Sequence, residues 1–248
     1  VATTQRLAEV VEQASRRPSV ALDLESNGFH RYPERVCLIQ LAVPGSVFLI
    51  DPLAVPDLGP LGEMLADPSV EKVLHSADYD VRSLDRDWGF RVRNLFDTSI
   101  AAAFTGSTML GLAAVVQGHL GVELDKNKKL QRADWTERPL IRERQRYAAG
   151  DVLYLERIRG MLATRLGELG RLEWVAEECT RLSAVGHRTP DPEWAFLSIK
   201  GSRALDGRGL AVLRSLHRFR EGEAVRRDRP PFKVIPNSAL VSLAENPE

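Results

Sequence analysis

Apolar residues recur at helical spacing over positions 3–17, where Leu7, Val10, Val11 and Ala14 share one face and Pro18 stops the pattern. The period then changes. Three short runs rich in Val, Leu and Ile, at 20–25, 36–43 and 47–50, predict strands. Pro44, Gly45 and Ser46 separate the last two by a turn, which predicts an antiparallel hairpin. A helical stretch follows at 58–65, a fourth strand at 72–75, and a helix over 76–88 stopped by Gly89. An extended piece at 94–97 precedes helices at 98–104 and 110–120. The longest helical pattern covers 140–169, with a break expected near Gly150 or Gly160. Strands that come early, interleaved with helices, predict a mixed α/β domain with a small sheet.

The pattern shifts near residue 185. Residues 186–192 are polar and carry two prolines, which gives the stretch 186–203 a linker character. Beyond it, 204–227 reads as a helix with Leu205, Leu210, Leu213 and Leu216 apolar and arginines on the remaining positions. From Lys200 onward there are ten basic residues against six acidic ones. A domain at 1–185, a linker at 186–203 and a helical segment at 204–248 is the expected organisation.

Composition narrows the class. With 44% hydrophobic and 27% charged residues, the chain is neither a disordered tail nor a fibrous repeat. The 34 basic and 34 acidic residues cancel, so nucleic-acid binding has to come from local patches. Cys37 and Cys179 lack a CxxC spacing, which argues against a zinc site or a disulfide framework and fits a reducing cytoplasm. No apolar run reaches the roughly 18 residues of a membrane span. The expectation is a soluble cytoplasmic protein, with no membrane association and no obligate protein partner.

Carboxylates stand where the apolar pattern leaves no place for them. Asp23 and Glu25 interrupt a strand two positions apart, so both project from one face of the sheet. Burying them side by side is costly without a cation or donors, and Mg²⁺ favours carboxylate oxygens. A solvated face is the plainer alternative. Asp78 and Asp80 open a helix, where acidic residues are favoured in any case. Tyr147 and Asp151 lie one helical turn apart on one face, as they also do on an ordinary amphipathic surface.

In combination these residues resemble the DEDD family of 3′→5′ exonucleases, in its tyrosine-bearing branch, and within that branch the ribonuclease D family. The resemblance is carried by the segments 22–25, 36–41, 75–84, 96–98 and 124–126, and most specifically by 130–140 running on into 146–155. It covers roughly residues 18–185. It implies a ribonuclease H-like mixed sheet flanked by helices, followed by a helical C-terminal segment. The segment 205–243 resembles the start of an HRDC domain, so 204–248 is expected as a partial HRDC-like piece with residues 230–248 poorly ordered.

By that resemblance Asp23, Glu25, Asp80 and Asp151 are ligands of two divalent ions, Mg²⁺ or Mn²⁺. Tyr147 orients the attacking water, and Glu25 touches the terminal 3′-hydroxyl. Asp80 is preferred over Asp78 on its spacing from His75 and Leu84. The implied reaction is hydrolysis of RNA with a free 3′ end, releasing 5′-monophosphates, in the 3′ processing of tRNA or other structured RNA. A nuclease preferring single-stranded DNA is one alternative, and a catalytically silent binding module is another. Lys126, Lys128, Lys129 and Arg132 form a basic cluster suited to the nucleic-acid backbone, or a solvated loop. His30, His75, Trp135 and Phe104 are read as structural.

Overall fold

A computed structural model describes residues 1–125 and 127–245. They divide into two compact units, one of residues 1–26 and 36–187, the other of 27–35 and 188–248.

The first unit opens with α1 (Thr4–Ser15), capped by the Thr3 hydroxyl, which accepts from the Arg6 N–H. Its buried face is Leu7, Val10, Val11 and Ala14, the stripe the periodicity predicts. β1 (Ser19–Ser26), β2 (Val36–Val43) and β3 (Ser46–Ile50) follow. Then come α2 (Gly59–Ala66), β4 (Glu71–Leu74), α3 (Asp78–Trp88) and β5 (Leu95–Asp97). The strands form one sheet in the order β3-β2-β1-β4-β5. β1 is antiparallel to β2 and parallel to β4, and β2 with β3 is the expected hairpin. All eight residues of β2 are buried, as befits an interior strand covered on both faces. Gly89 ends α3 in the left-handed region at φ 69°, a conformation that favours glycine.

The remaining helices of this unit are α4 (Thr98–Phe104), α5 (Leu112–Leu120), α6 (Lys128–Gln131), α7 (Arg142–Leu153), α8 (Leu155–Glu168) and α9 (Leu172–Ser183). α7 packs on β1, β2 and β3, and α8 packs on β1 and β4. The long pattern at 140–169 does break, but at Tyr154 and not at either glycine. Tyr154 sits at φ −104°, ψ −8°, and is the last residue of one helix pattern and the first of the next. Burial explains this. α7 buries Ala148 and Val152, while α8 buries Leu155, Ile158, Leu162 and Leu166, so the break separates two apolar stripes. Gly150 and Gly160 lie inside the helices with open space around them.

The second unit holds α10 (Gly207–Arg227), α11 (Pro231–Val234) and α12 (Asn237–Glu245). Its core is Phe196, Ile199, Leu213, Leu240 and Ala244. Phe196 and Ile199 come from the stretch read as a linker, where 195–198 and 202–204 form short 3₁₀ turns. They supply apolar partners that the leucine pattern of α10 lacks by itself. Leu240 and Ala244 are thereby buried, so the described part of 230–248 is ordered, against the expectation from sequence. The segment 27–35 joins this unit through Tyr32, whose hydroxyl donates to Glu221 at 2.6 Å, and Arg31, which pairs with Asp228 at 2.9 Å. Burial and the Glu221 carboxylate push the Tyr32 phenol up to about 12. The arginines of α10 are largely taken up inside the unit. Arg214 and Arg218 pair with Glu193, Arg226 and Arg227 with Glu223, and buried Arg220 with Glu221 and Asn237. No helix among the described residues is long and apolar enough to cross a membrane.

Candidate active site

Asp23 and Glu25 alternate with buried Leu22 and Leu24 on β1, the central strand, so both carboxylates stand on one face. An irregularity in the pairing with β2 falls between Glu25 and Ser26 and ends the regular strand beside them. Asp151 reaches the same place from α7. One carboxylate oxygen from each of Asp23, Glu25 and Asp151 lies within 4.8 Å of the others.

Asp80 approaches from the first turn of α3 and is 6% exposed, while Asp78 points outward at 60% and pairs with Arg82. Asp80 is outside the closest group of three, yet its charge acts on both Asp23 and Glu25. Two ties hold α3 to the sheet. The Ser26 hydroxyl and the Tyr79 hydroxyl are 2.7 Å apart, joining the residue after Glu25 to the residue before Asp80. Asp87, on the last turn of α3, accepts from the Val36 N–H at 2.6 Å.

Asp97 carries this corner, and the sequence assigned it no role. Its buried carboxylate caps α4 through the Ser99 and Ile100 N–H groups. It also accepts from the Ser76 and Ala77 N–H groups, at 3.1 and 2.7 Å, at the start of α3, which has no cap of its own. Ser76 is held at φ 58°, a left-handed conformation that this bond supports. Asp97 stands close enough to act on Asp80. An Asp directly before a helical run is a capping signal in sequence, but nothing there shows that it caps two helices. His75 bonds the Thr98 hydroxyl at 2.9 Å in the same corner.

Tyr147 lies one turn before Asp151, packed against Trp135 with ring centroids 6.1 Å apart. Trp135, 1% exposed, and Leu38, the cross-strand partner of Glu25, share a small cluster with Ala148 and Tyr147. Arg138 fixes the loop that carries Trp135. Its guanidinium is bidentate to Asp51 at 2.6 and 2.8 Å and donates to the carbonyls of Cys37 and Trp135. Lys128 and Lys129 stand exposed on α6, Arg132 follows it, and Lys126 lies outside the described residues. Beside them a groove of about 790 Å³ is lined by Ala113, Ala114, Gln117, Glu123, Leu124 and Asp125.

Burial raises the proton affinity of all four acids, and at Asp23 and Glu25 the neighbouring carboxylates add to it. Burial pushes Asp80 and Asp151 up to about 7, and Asp97 adds to Asp80. Burial first, then the neighbouring carboxylates, hold Asp23 and Glu25 well above the usual range. No basic side chain among the described residues offsets them. Burial and four carboxylates, Asp151 foremost, push the Tyr147 phenol above its usual 10. A cluster of oxygen donors that keeps its protons until a cation arrives fits a hard divalent ion, Mg²⁺ or Mn²⁺.

A pH dependence follows. Carboxyls titrating near 7 in the folded chain and near 4 in the unfolded one make the folded state bind more protons between those values. Stability of the metal-free protein therefore falls as pH rises from about 4 through 7. Asp80→Asn relieves part of this. In chelator it is expected to raise Tm by several degrees at pH 8, at about 2–4 °C per kcal/mol, and by much less at pH 5. Thermal unfolding at the two pH values checks it, and equal shifts at both would put the effect outside the cluster.

Residues 1–167 match the family described as 3′-5′ exonuclease, and residues 209–248 match the HRDC domain. A protein of Gluconacetobacter diazotrophicus named ribonuclease D is 36% identical over 98% of this chain and 62% of its own length. Among solved structures, Escherichia coli RNase D, described as an exoribonuclease involved in structured RNA processing, superposes with a TM-score of 0.83 at 34% identity. That comparison covers 99% of this chain and 65% of the other. The catalytic core of RRP6 from Trypanosoma brucei gives a TM-score of 0.85 at 31% identity, over 98% of this chain and 68% of that one. The chain thus spans a little under two thirds of the length of the first two of these relatives.

Proposed function

Since the chain belongs to the 3′-5′ exonuclease family, we propose that it is a metal-dependent 3′→5′ exoribonuclease that trims RNA from a free 3′ end and releases nucleoside 5′-monophosphates. The observation that carries the reading is the meeting of Asp23, Glu25 and Asp151 oxygens within 4.8 Å, with Asp80 behind them and Tyr147 beside them. RNA is preferred as substrate because the relatives at 34–36% identity are ribonucleases D. Structured RNA, tRNA precursors included, is the proposed class. The nuclease is assigned to residues 1–185 and the partial HRDC-like segment to 204–248.

Asp23, Glu25, Asp80 and Asp151 would hold two divalent cations, Mg²⁺ or Mn²⁺. Bound there, the cations supply a lowered pKa for water and relief of charge on the phosphate and the leaving 3′ oxygen. The chain's own groups set the geometry. β1 presents Asp23 and Glu25 from the rigid centre of the sheet, and α7 presents Asp151 and Tyr147 together. The Tyr147 phenol, ordinarily near 10 and raised further by burial and the carboxylates in the metal-free protein, holds its proton at neutral pH. It can aim a water through hydrogen bonds, and it is not the final proton acceptor. Glu25, one residue before the end of β1, would contact the terminal 3′-hydroxyl, as the family resemblance implies. Asp125, which lines the groove, is near enough to act on Tyr147. Lys128, Lys129 and Arg132, with Lys126 in the same stretch, would attract the phosphates of the incoming strand.

The direction and chemistry of cleavage are open to one experiment. Matched RNA oligonucleotides ending in a 3′-hydroxyl or a 3′-phosphate are incubated with the protein and Mg²⁺, and the products separated by chromatography. Nucleoside 5′-monophosphates from the first substrate and strong protection of the second are expected. Nucleoside 3′-monophosphates or internal fragments would overturn the reading.

A further inference from the structure

The sheet face that carries the carboxylates holds another polar group, one with no hydrogen-bond partner among the described residues. Gln40 on β2 is registered directly opposite Asp23 on β1. Residues so opposed share a face, with Cβ atoms about 4.5–5.5 Å apart. Gln40 is 0% exposed, and neither its amide nitrogen nor its amide oxygen has a hydrogen-bond partner among the described residues. Every other residue of β2 is apolar. The indole N–H of Trp135 is also buried and unbonded. Trp135 packs in the cluster that contains Leu38, two residues before Gln40, and Leu49, opposite Gln40 on β3.

An unsatisfied buried amide is costly, and Leu or Met would fill the position without that penalty. We infer that Gln40 is a positioning residue for Asp23. When Asp23 is ionised and holds a cation, the Gln40 amide N–H₂ donates to its carboxylate and fixes which oxygen faces the ion. This rests on the reading of Asp23 as a metal ligand.

The chemistry of the pair supports the assignment. Ligating carboxylates are themselves hydrogen-bonded, and removing that outer partner typically lowers metal affinity about 10–100-fold. A neutral amide supplies the donor without cancelling the charge that attracts the cation. Lys or Arg at the same place would neutralise Asp23 and compete with the ion. Trp135, a donor only, is the complementary partner for the amide oxygen once the N–H₂ turns to Asp23.

The test needs no RNA. Mg²⁺ and Mn²⁺ binding is measured by titration calorimetry on the full chain, wild type against Gln40→Met, which is close in volume, and Gln40→Asn, which keeps the amide on a shorter arm. Thermal unfolding in chelator is recorded beside it. Gln40→Met is expected to leave the metal-free Tm unchanged or higher while cation affinity falls about 10–100-fold, and Gln40→Asn to lose affinity as well. A lower Tm with wild-type affinity would make Gln40 a packing residue and overturn the inference, as would wild-type affinity in either variant. Wild type binding neither ion would instead overturn the metal reading beneath it.

Discussion

Asp23→Asn is expected to lower turnover at least about 1000-fold, the equivalent of roughly 4 kcal/mol of lost charge stabilisation. Asp23 stands at the centre of the sheet and shares its corner with Asp80 and Asp151, both of which act on its proton affinity. Replacing one oxygen by an amide nitrogen removes charge and, on the proposed assignment, a ligand atom, while keeping the shape. The fold is expected to survive, because Asp23 is a source of repulsion in the metal-free protein and not a source of cohesion. Circular dichroism and Tm in chelator should match or exceed wild type. Initial rates at saturating Mg²⁺ check the catalytic loss, and retention of more than a tenth of wild-type activity would contradict the ligand assignment.

The second large effect is expected at Tyr147. Tyr147→Phe removes the hydroxyl proposed to aim the water, on a phenol that burial and Asp151, Glu25, Asp23 and Asp125 push above 10 in the metal-free protein. Losing one positioned hydrogen bond at a reacting group typically costs about 100-fold in kcat. The ring remains packed on Trp135, so KM should move less than about threefold. Steady-state kinetics on a short RNA separate the two constants. A collapse in KM with kcat preserved would mean that Tyr147 shapes the substrate channel and does not aim the water.

Much of this site could be read from the sequence because carboxylates in an apolar strand are costly and therefore informative. Asp23 and Glu25 break a run that otherwise reads as buried, and alternation alone puts them on one face. Asp80 and Asp78 could not be told apart by helix-end preference, which favours both. The structure separates them by burial, 6% against an outward residue paired with Arg82. Tyr147 and Asp151 follow from helical period. Beyond the β2–β3 hairpin, the sheet order was implied only by the family resemblance, since pairing between strands distant in the chain is not encoded in local patterning.

Other features depend on partners far apart in the chain, and local patterns do not report them. Asp97 caps two helices through N–H groups on both sides of it in sequence. Arg138 gathers Asp51, Cys37 and its own loop. The break at Tyr154 follows from where two apolar stripes part, whereas the glycines marked only where a helix could be weak. Residues 27–35 carry no local pattern that assigns them to either unit, and their place in the second comes from Tyr32 and Arg31 meeting residues almost two hundred positions away. Gln40 lies within the segment 36–41, and only its register opposite Asp23 gives it a place beside the carboxylates.

The most direct test of the account is a time course on 5′-labelled single-stranded RNA and its DNA counterpart, each with a free 3′-hydroxyl. Both are incubated with the protein in Mg²⁺, in Mn²⁺ and in chelator, and resolved on a sequencing gel. The account predicts a ladder shortening one nucleotide at a time from the 3′ end of the RNA, slower loss of the DNA, and no cleavage in chelator. Retained RNA binding with no ladder in either metal, or cleavage that persists in chelator, would contradict it.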